Sequence, residues 1–237
     1  VTVEVSSHPL HVGALLPQGV KVAMPLHELE TLKTLKIDLY SADCKYVSTH
    51  TIHVPPSAPV AAALAEVAKA ASRPPDAPPL RLVHVHHSKI FNAFEAGQEL
   101  SHVDSNAYLR AEEVPEDDAG APSLLYVYHV EEGSLEQPAH TTHFGEPMLV
   151  GLHDGETVAS VKARIQRRLS VSDEDFAKWK FHGFCGGQGS PLRDGDVVAD
   201  KIHAMNRNPT SMYDTYLGVE HANTGPRRDV AETQVAG

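Results

Sequence analysis

The chain has 237 residues, room for two domains of about 100 residues each. Apolar residues make up 41% and aromatics only 6%, a composition for small cores and not for one large aromatic-rich enzyme interior. Twenty basic residues against 31 acidic ones leave a net charge of -11, which repels phosphate backbones and weighs against a nucleic-acid partner.

The two cysteines, Cys44 and Cys185, lie far apart and outside any CxxC spacing. A disulfide framework or Cys-based zinc site is not expected, and a reducing compartment, cytoplasm and/or nucleus, is the natural inference. No run reaches the ~18 apolar residues that span a bilayer, so no membrane partner is expected either. The chain opens on Val1 without a basic-then-apolar leader and reads as a piece of a longer polypeptide.

In chain order, Pro9, Gly13, Pro17 and Gly19 break any regular pattern, and residues 1–23 read as a linker or the end of an upstream domain. Leu32, Leu35, Ile37 and Leu39 begin a strand, and Lys45 to Val54 has the β-branched alternation of its hairpin partner. Pro55-Pro56-Ser57 stops it. A helix follows, with Pro59 near its first turn and Val60, Leu64, Val67, Ala68 and Ala71 on one apolar face. Leu80–His86, Lys89–Phe94 and Tyr108–Val114 are three further strands.

The order β-β-α-β-β-β then returns. Leu124–Val130 is a strand, a loose loop runs from Glu131 to about Phe144, and Pro147–His153 is the next strand. Thr157 has the hydroxyl of a helix N-cap. Val158, Val161, Ile165 and Leu169 line the buried helix face, and Lys162, Arg164, Arg167 and Arg168 are left to solvent. Short strands at Trp179–Phe184 and Tyr213–Glu220, with a short strand and turn at Pro191–Asp196, close the repeat, and Trp179 and Phe181 alternate into the core.

A hairpin, one helix across the sheet and further short strands is the β-grasp order. The fold expected is therefore α+β, two tandem ubiquitin-like β-grasp domains. Residues 24–118 form the first, 119–225 the second, and 226–237 a flexible C-terminal tail. One helix on one face leaves the other face of each sheet half exposed. The connector Pro115–Pro122 is short, so the two domains are held close.

Among chemistry-bearing residues, His84 and His86 share a face of one strand, with His87 beside them. A zinc site wants three or four convergent ligands, and no third is visible, so no metal or other cofactor is expected. His140 and His143 fall in the loop, where solvent exposure is the default. Cys185 sits in a Gly-rich run without the spacing or Lys of a phosphate-binding loop, and alternation takes His182 off its line. No catalytic residue is assigned. Glu112, Glu113, Glu116, Asp117 and Asp118 form an acidic run, a solvated connector or a dock for a basic partner peptide. Arg227 and Arg228 are partner-contact candidates in the tail. The basic helix face is open to the same two readings.

Several segments carry a resemblance. His153-Asp154-Gly155-Glu156-Thr157, Val161 to Gln166, Ser172 to Phe181 and Tyr216 to His221 closely resemble the last ubiquitin-like domain of the ubiquitin-specific proteases of the plant 12/13 and animal 7 type. Leu29 to Lys36, His87-Ser88-Lys89-Ile90 and Leu109 to Glu116 resemble the preceding one. The resemblance implies the C-terminal tandem of a cysteine-type deubiquitinase. It implies a tandem without catalytic residues of its own that regulates the protease domain and contacts other proteins. In that family the tail beyond the last strand is basic-aromatic, whereas Pro226 to Gly237 has no aromatic residue. An interaction or scaffold module with no protease role is the alternative.

Overall fold

The computed structural model describes residues 11–15, 21–25, 32–134, 141–185, 188–205 and 215–222. The first strands, β1 (His11–Leu15) and β2 (Lys21–Pro25), pair antiparallel. They fall where the sequence reads as a linker, because Pro17 and Gly19 between them mask the pairing.

The first unit is built from β3 (Lys33–Tyr40), β4 (Tyr46–Val54), α1 (Val60–Ala70), β5 (Leu80–His86), β6 (Lys89–Phe94) and β7 (Leu109–Glu113). Leu35, Ile37 and Leu39 alternate onto the face that receives Val60, Ala63, Leu64 and Val67 of α1. Pro59 precedes α1 and offers no side-chain cap, so the chain supplies another one. Val60 N–H donates to Gln98 O (2.8 Å) and Ala61 N–H to Ala96 O (2.9 Å), satisfying two orphan first-turn donors. The sheet order is β4-β3-β7-β5-β6, with β3 and β7 parallel and every other pair antiparallel.

The second unit repeats this plan. Its elements are β8 (Ser123–Glu131), β9 (His143–Leu152), α2 (Val158–Leu169), the one-turn α3 (Asp173–Phe176), β10 (Lys180–Cys185), β11 (Gln188–Pro191), α4 (Val198–Met205) and β12 (Tyr216–His221). The order is β9-β8-β12-β10-β11, again with first and last strands parallel at the centre. Even the helix start recurs: Val158 N–H donates to Asp196 O and Ala159 N–H to Asp194 O, while Thr157 Oγ1 accepts from Ser160 N–H at 3.4 Å. The strand expected at Pro191–Asp196 lies earlier, at Gln188–Pro191, and His143 and Phe144 belong to β9 and not to a loop. Phe181 is in the core, whereas Trp179 is half-buried at its rim.

The outer sheet faces do not stay half exposed. Leu82 packs toward α1, so its neighbour Val83 points the other way, and with Val85 and Ile90 it meets Tyr128, Val130, Leu149, Phe184 and Tyr216 of the second unit. The two units therefore share a third apolar core, sheet against sheet. Period-two alternation distinguishes two faces but not what covers the second one.

Gly218 fits this joint for a steric reason. It alternates outward between Leu217 and Val219, and a Cβ there would stand 2.3 Å from the Phe184 ring and 3.3 Å from Val130. Phe184 is fully buried and stacked on Tyr216 at 4.7 Å, so it has nowhere to move. Gly218→Ala is expected to lower stability by about 1–3 kcal/mol, read as a shifted urea midpoint.

Candidate functional site

The polar centre of the joint is Arg110, whose residue is 0% exposed. Because Leu109 and Ala111 face α1, Arg110 and Glu112 project together from the outer face of β7. Arg110 Nη2 donates to Glu112 Oε2 (2.6 Å) and, across the joint, to Pro147 O (2.6 Å); Nη1 donates to Glu146 Oε2 (3.3 Å). Its guanidinium lies over the Tyr40 ring at 4.9 Å, and Tyr40 donates its hydroxyl to Glu146 Oε1 at 3.3 Å. Glu112 also accepts from Arg81 Nε at 3.0 Å. One arginine on β7 thus fastens β9 of the second unit through two acceptors, Glu146 Oε2 and Pro147 O. The sequence shows it only as a charge alternating with apolar residues, a pattern that reads as solvent-facing.

A second set of ties runs along the connector. Asp118 is buried and accepts from Arg164, which also holds Glu156 at 2.8 Å; Asp117, exposed, pairs with Arg167. Arg168 donates from Nε to Ala42 O (2.5 Å) in the first unit and from Nη1 to Leu149 O (2.6 Å) in the second. The α2 arginines were expected to face solvent. Arg164 and Arg168 instead turn largely away from solvent, Arg164 onto Asp118 of the connector and Arg168 between the carbonyls of Ala42 and Leu149, which offer charge-assisted partners. Gly151 allows the connector to lie against β9, since a Cβ there would meet Asp118 Cα at 2.9 Å and Ala121 Cβ at 2.7 Å.

The acidic run is therefore divided. Glu112 is buried between two arginines, Glu113 pairs with Arg73 at 2.8 Å, and Asp118 is buried under α2. Glu116 and Asp117 alone stand at the surface. Arg227 and Arg228 lie outside the described residues.

The histidines do not gather as ligands. His84 and His86 rings are 6.5 Å apart, and among the described residues no three His, Cys, Asp or Glu side chains form a metal-holding group. His140 lies outside the described residues. His143 sits in β9, where burial and then Lys89 hold its pKa down at about 4, and its Nε2 is 3.0 Å from Tyr216 Oη. A pair the sequence reading missed lies near the end of β12: His129 Nδ1 and His221 Nε2 are 2.8 Å apart, with His221 stacked on Trp179 at 4.0 Å. Cys185 Sγ accepts from Thr215 Oγ1 at 3.7 Å; His182, an odd number of residues away on β10, projects from the other face. Cys44, in the β3–β4 turn, packs on the second unit's core, and burial pushes its thiol pKa up, away from the thiolate a nucleophile needs.

The family model for "Ubiquitin-specific protease C-terminal" matches residues 21–226, both units and the joint between them. Ubiquitin C-terminal hydrolase 12 of Arabidopsis thaliana is 38% identical over 218 residues, covering 89% of this chain and 19% of the relative. Ubiquitin C-terminal hydrolase 13 of the same plant is 36% identical over 217 residues with the same coverage. Ubiquitin carboxyl-terminal hydrolase 7 of Drosophila melanogaster is 25% identical over 220 residues, 88% of this chain and 19% of the relative. The chain thus spans about a fifth of the length of these relatives. Among solved structures, the ubiquitin of Caldiarchaeum subterraneum aligns with 35% of this chain and 95% of its own at 21% identity and a TM-score of 0.26. A match that begins at β2 and ends after β12, taking in both five-stranded sheets and the arginine-centred joint, identifies the chain as a member of the ubiquitin-specific protease C-terminal family.

Proposed function

We propose that the chain is the non-catalytic C-terminal module of a cysteine-type deubiquitinase, regulating its protease domain and contacting partner proteins. In this reading the two units are ubiquitin-like β-grasp domains in tandem. The observation that carries the proposal is the continuous match to the C-terminal family across both units. The recurring strand order, with one helix laid across each sheet, supports the β-grasp assignment. The buried ties at Arg110 and Arg168 support a module that acts as one body, presenting fixed surfaces instead of two tethered beads.

The partner contacts proposed for Glu112, Glu113, Glu116, Asp117 and Asp118 divide by burial. Glu116 and Asp117, both exposed, are proposed to meet a partner directly, with Asp118, tied to Arg164, holding the connector on which they stand; Glu112 and Glu113 act through the sheet, in their pairs with Arg81, Arg110 and Arg73. Arg227 and Arg228 are proposed to add basic contacts in the tail. The net charge of -11 favours protein over nucleic acid at these surfaces.

Adding the purified chain in trans to the protease domain of a ubiquitin-specific protease, and following cleavage of a fluorogenic ubiquitin reporter, tests the regulatory role. An increase in kcat/KM that saturates with chain concentration is the expected result. An unchanged rate at saturation removes the activating role.

A further inference from the structure

Each five-stranded sheet ends in two edge strands, whose outward N–H and C=O groups can pair with a strand laid beside them. Three of these four edges are blunted. Strand β6 opens on Lys89, has an irregular register against β5 and packs on β9 of the second unit. Strand β9 contains Pro147, which has no N–H to give, and a register shift against β8. Strand β11 is four residues long and ends on Pro191.

Strand β4 has none of these devices. Its nine residues, Tyr46–Val54, include no Lys, Arg, Asp or Glu, no proline and no glycine. Tyr46, Val47, Thr49, Thr51, Ile52 and Val54 are all strand-forming types. The irregularity against β3 falls at Val47, so Ser48 to Val54 run in unbroken register. Among the described residues β3 is the strand partner on one side, and the other side has none. Tyr46 and Val47 are 53% and 55% exposed. Ile52 and Val54 enter the core under α1, so Thr49, Thr51 and His53 alternate onto the opposite face, where they are exposed.

Charge narrows the occupant. The chain carries -11, so two copies repel wherever acidic surface meets acidic surface. Laid against its own copy, β4 brings no carboxylate opposite a carboxylate in any register. Antiparallel pairing sets threonines of one copy beside threonines of the other, and such cross-strand hydroxyl pairs stabilise a sheet. A neutral edge has little with which to select one foreign strand among many, whereas it complements itself.

We propose that a second copy of this chain pairs with the first along β4, antiparallel about a two-fold axis, and joins two five-stranded sheets into one. The contact is isologous, so it closes at two copies and does not propagate. The proposal does not rest on regulation of a protease domain, and its test contains none.

The full chain, followed by sedimentation equilibrium over a range of concentrations, tests it. One strand pair is a small interface beside the ~1,200–2,000 Å² of stable complexes, so a reversible dimer with a Kd of about 10–500 μM is expected. In the double variant Thr51→Glu/His53→Glu the new carboxylates lie opposite Lys36 and Thr34 within their own sheet, all at the surface. Across the axis they meet their own copies. The variant is expected to raise Kd by about tenfold or more, by an amount that shrinks as salt is added. An unchanged thermal melt in dilute solution verifies that it folds. In the unaltered chain, hydrogen exchange of the β4 amides is expected to slow as concentration rises, while that of β11 does not. This second readout needs no variant. A chain that stays monomeric up to about 1 mM, as when the edge is kept for another protein's strand, overturns the proposal. So does a dimer that the double variant leaves intact. Protection of the β4 amides that is independent of concentration, as when another segment of the same chain covers the edge, overturns it too.

Discussion

Replacing Arg110 with alanine is expected to lower unfolding stability by about 3–5 kcal/mol, the cost of breaking a buried ion pair from one side. The loss has three sources. Glu112 keeps Arg81 but loses the Nη2 donor at 2.6 Å; Pro147 O loses its cross-joint donor; and Glu146 loses the Nη1 donor at 3.3 Å. Arg110→Lys is expected to recover only part, because one ammonium can stand in for Nη2 toward Glu112 and Pro147 O but not also for Nη1 toward Glu146, nor for the flat guanidinium over the Tyr40 ring. The double variant Arg110→Met/Glu112→Leu is expected to regain much of the loss, since no uncompensated charge remains. Urea unfolding of the three variants measures the series. A loss below about 1 kcal/mol for Arg110→Ala would place the pair with surface salt bridges and undo its role in the joint.

That network also marks where the sequence stops being informative. The helix α2 is bounded in the structure by Thr157 and Leu169, the residues that its cap chemistry and apolar spacing indicate. Strands β5 and β6 likewise match the alternating runs Leu80–His86 and Lys89–Phe94. Local signals of this kind suffice when the cause is local: a hydroxyl beside an orphan N–H, or a β-branched run between turns. The short helix α4 carries no such local signal, because Asp194-Gly195-Asp196 reads as a turn and the Gly-rich stretch before it hides the strand Gln188–Pro191. The joint is a different matter. A charged residue that alternates with apolar ones reads as solvent-facing whether water or a second sheet lies opposite, so Arg110 and Glu112 look like surface. For the same reason, Arg164 and Arg168, four residues apart on α2, read as a solvated stripe although both turn largely away from solvent. The acidic connector and the basic helix face were each visible in the sequence as separate charged runs. Their mutual pairing depends on how the two units fold against each other, which no local pattern encodes.

The second large effect concerns acid. His221 Nδ1 lies 3.0 Å from Ala222 O, and a carbonyl only accepts, so His221 carries its proton on Nδ1. Its Nε2 is then the acceptor for His129 Nδ1–H at 2.8 Å. A proton added to His221 Nε2 sets two N–H groups against each other, and a proton added to His129 places a charge among Phe144 and Trp179. Burial, and then His221, hold the His129 pKa at about 3, and burial lowers that of His221 as well. In the unfolded chain these imidazoles titrate near 6.5. Between the two values the unfolded state binds the extra proton and the folded state does not, so stability is complete above pH 6.5 and declines as pH falls toward 3. The expected slope is about 1.4 kcal/mol per pH unit for each such histidine. Half-buried His143, held at about 4, adds a smaller, solvent-screened part. Urea midpoints measured from about pH 7.5 down to about pH 5, above most carboxylate titration, read the histidine contribution, to which His84 and His182, also lowered by burial, add. His129→Phe, which keeps a ring against Phe144 and Trp179 and removes the titrating group, is expected to flatten the slope by one proton's worth and to retain more of its neutral-pH stability on acidification. Equal slopes in the two proteins would mean that the His129–His221 pair contributes nothing to the acid sensitivity of the second sheet.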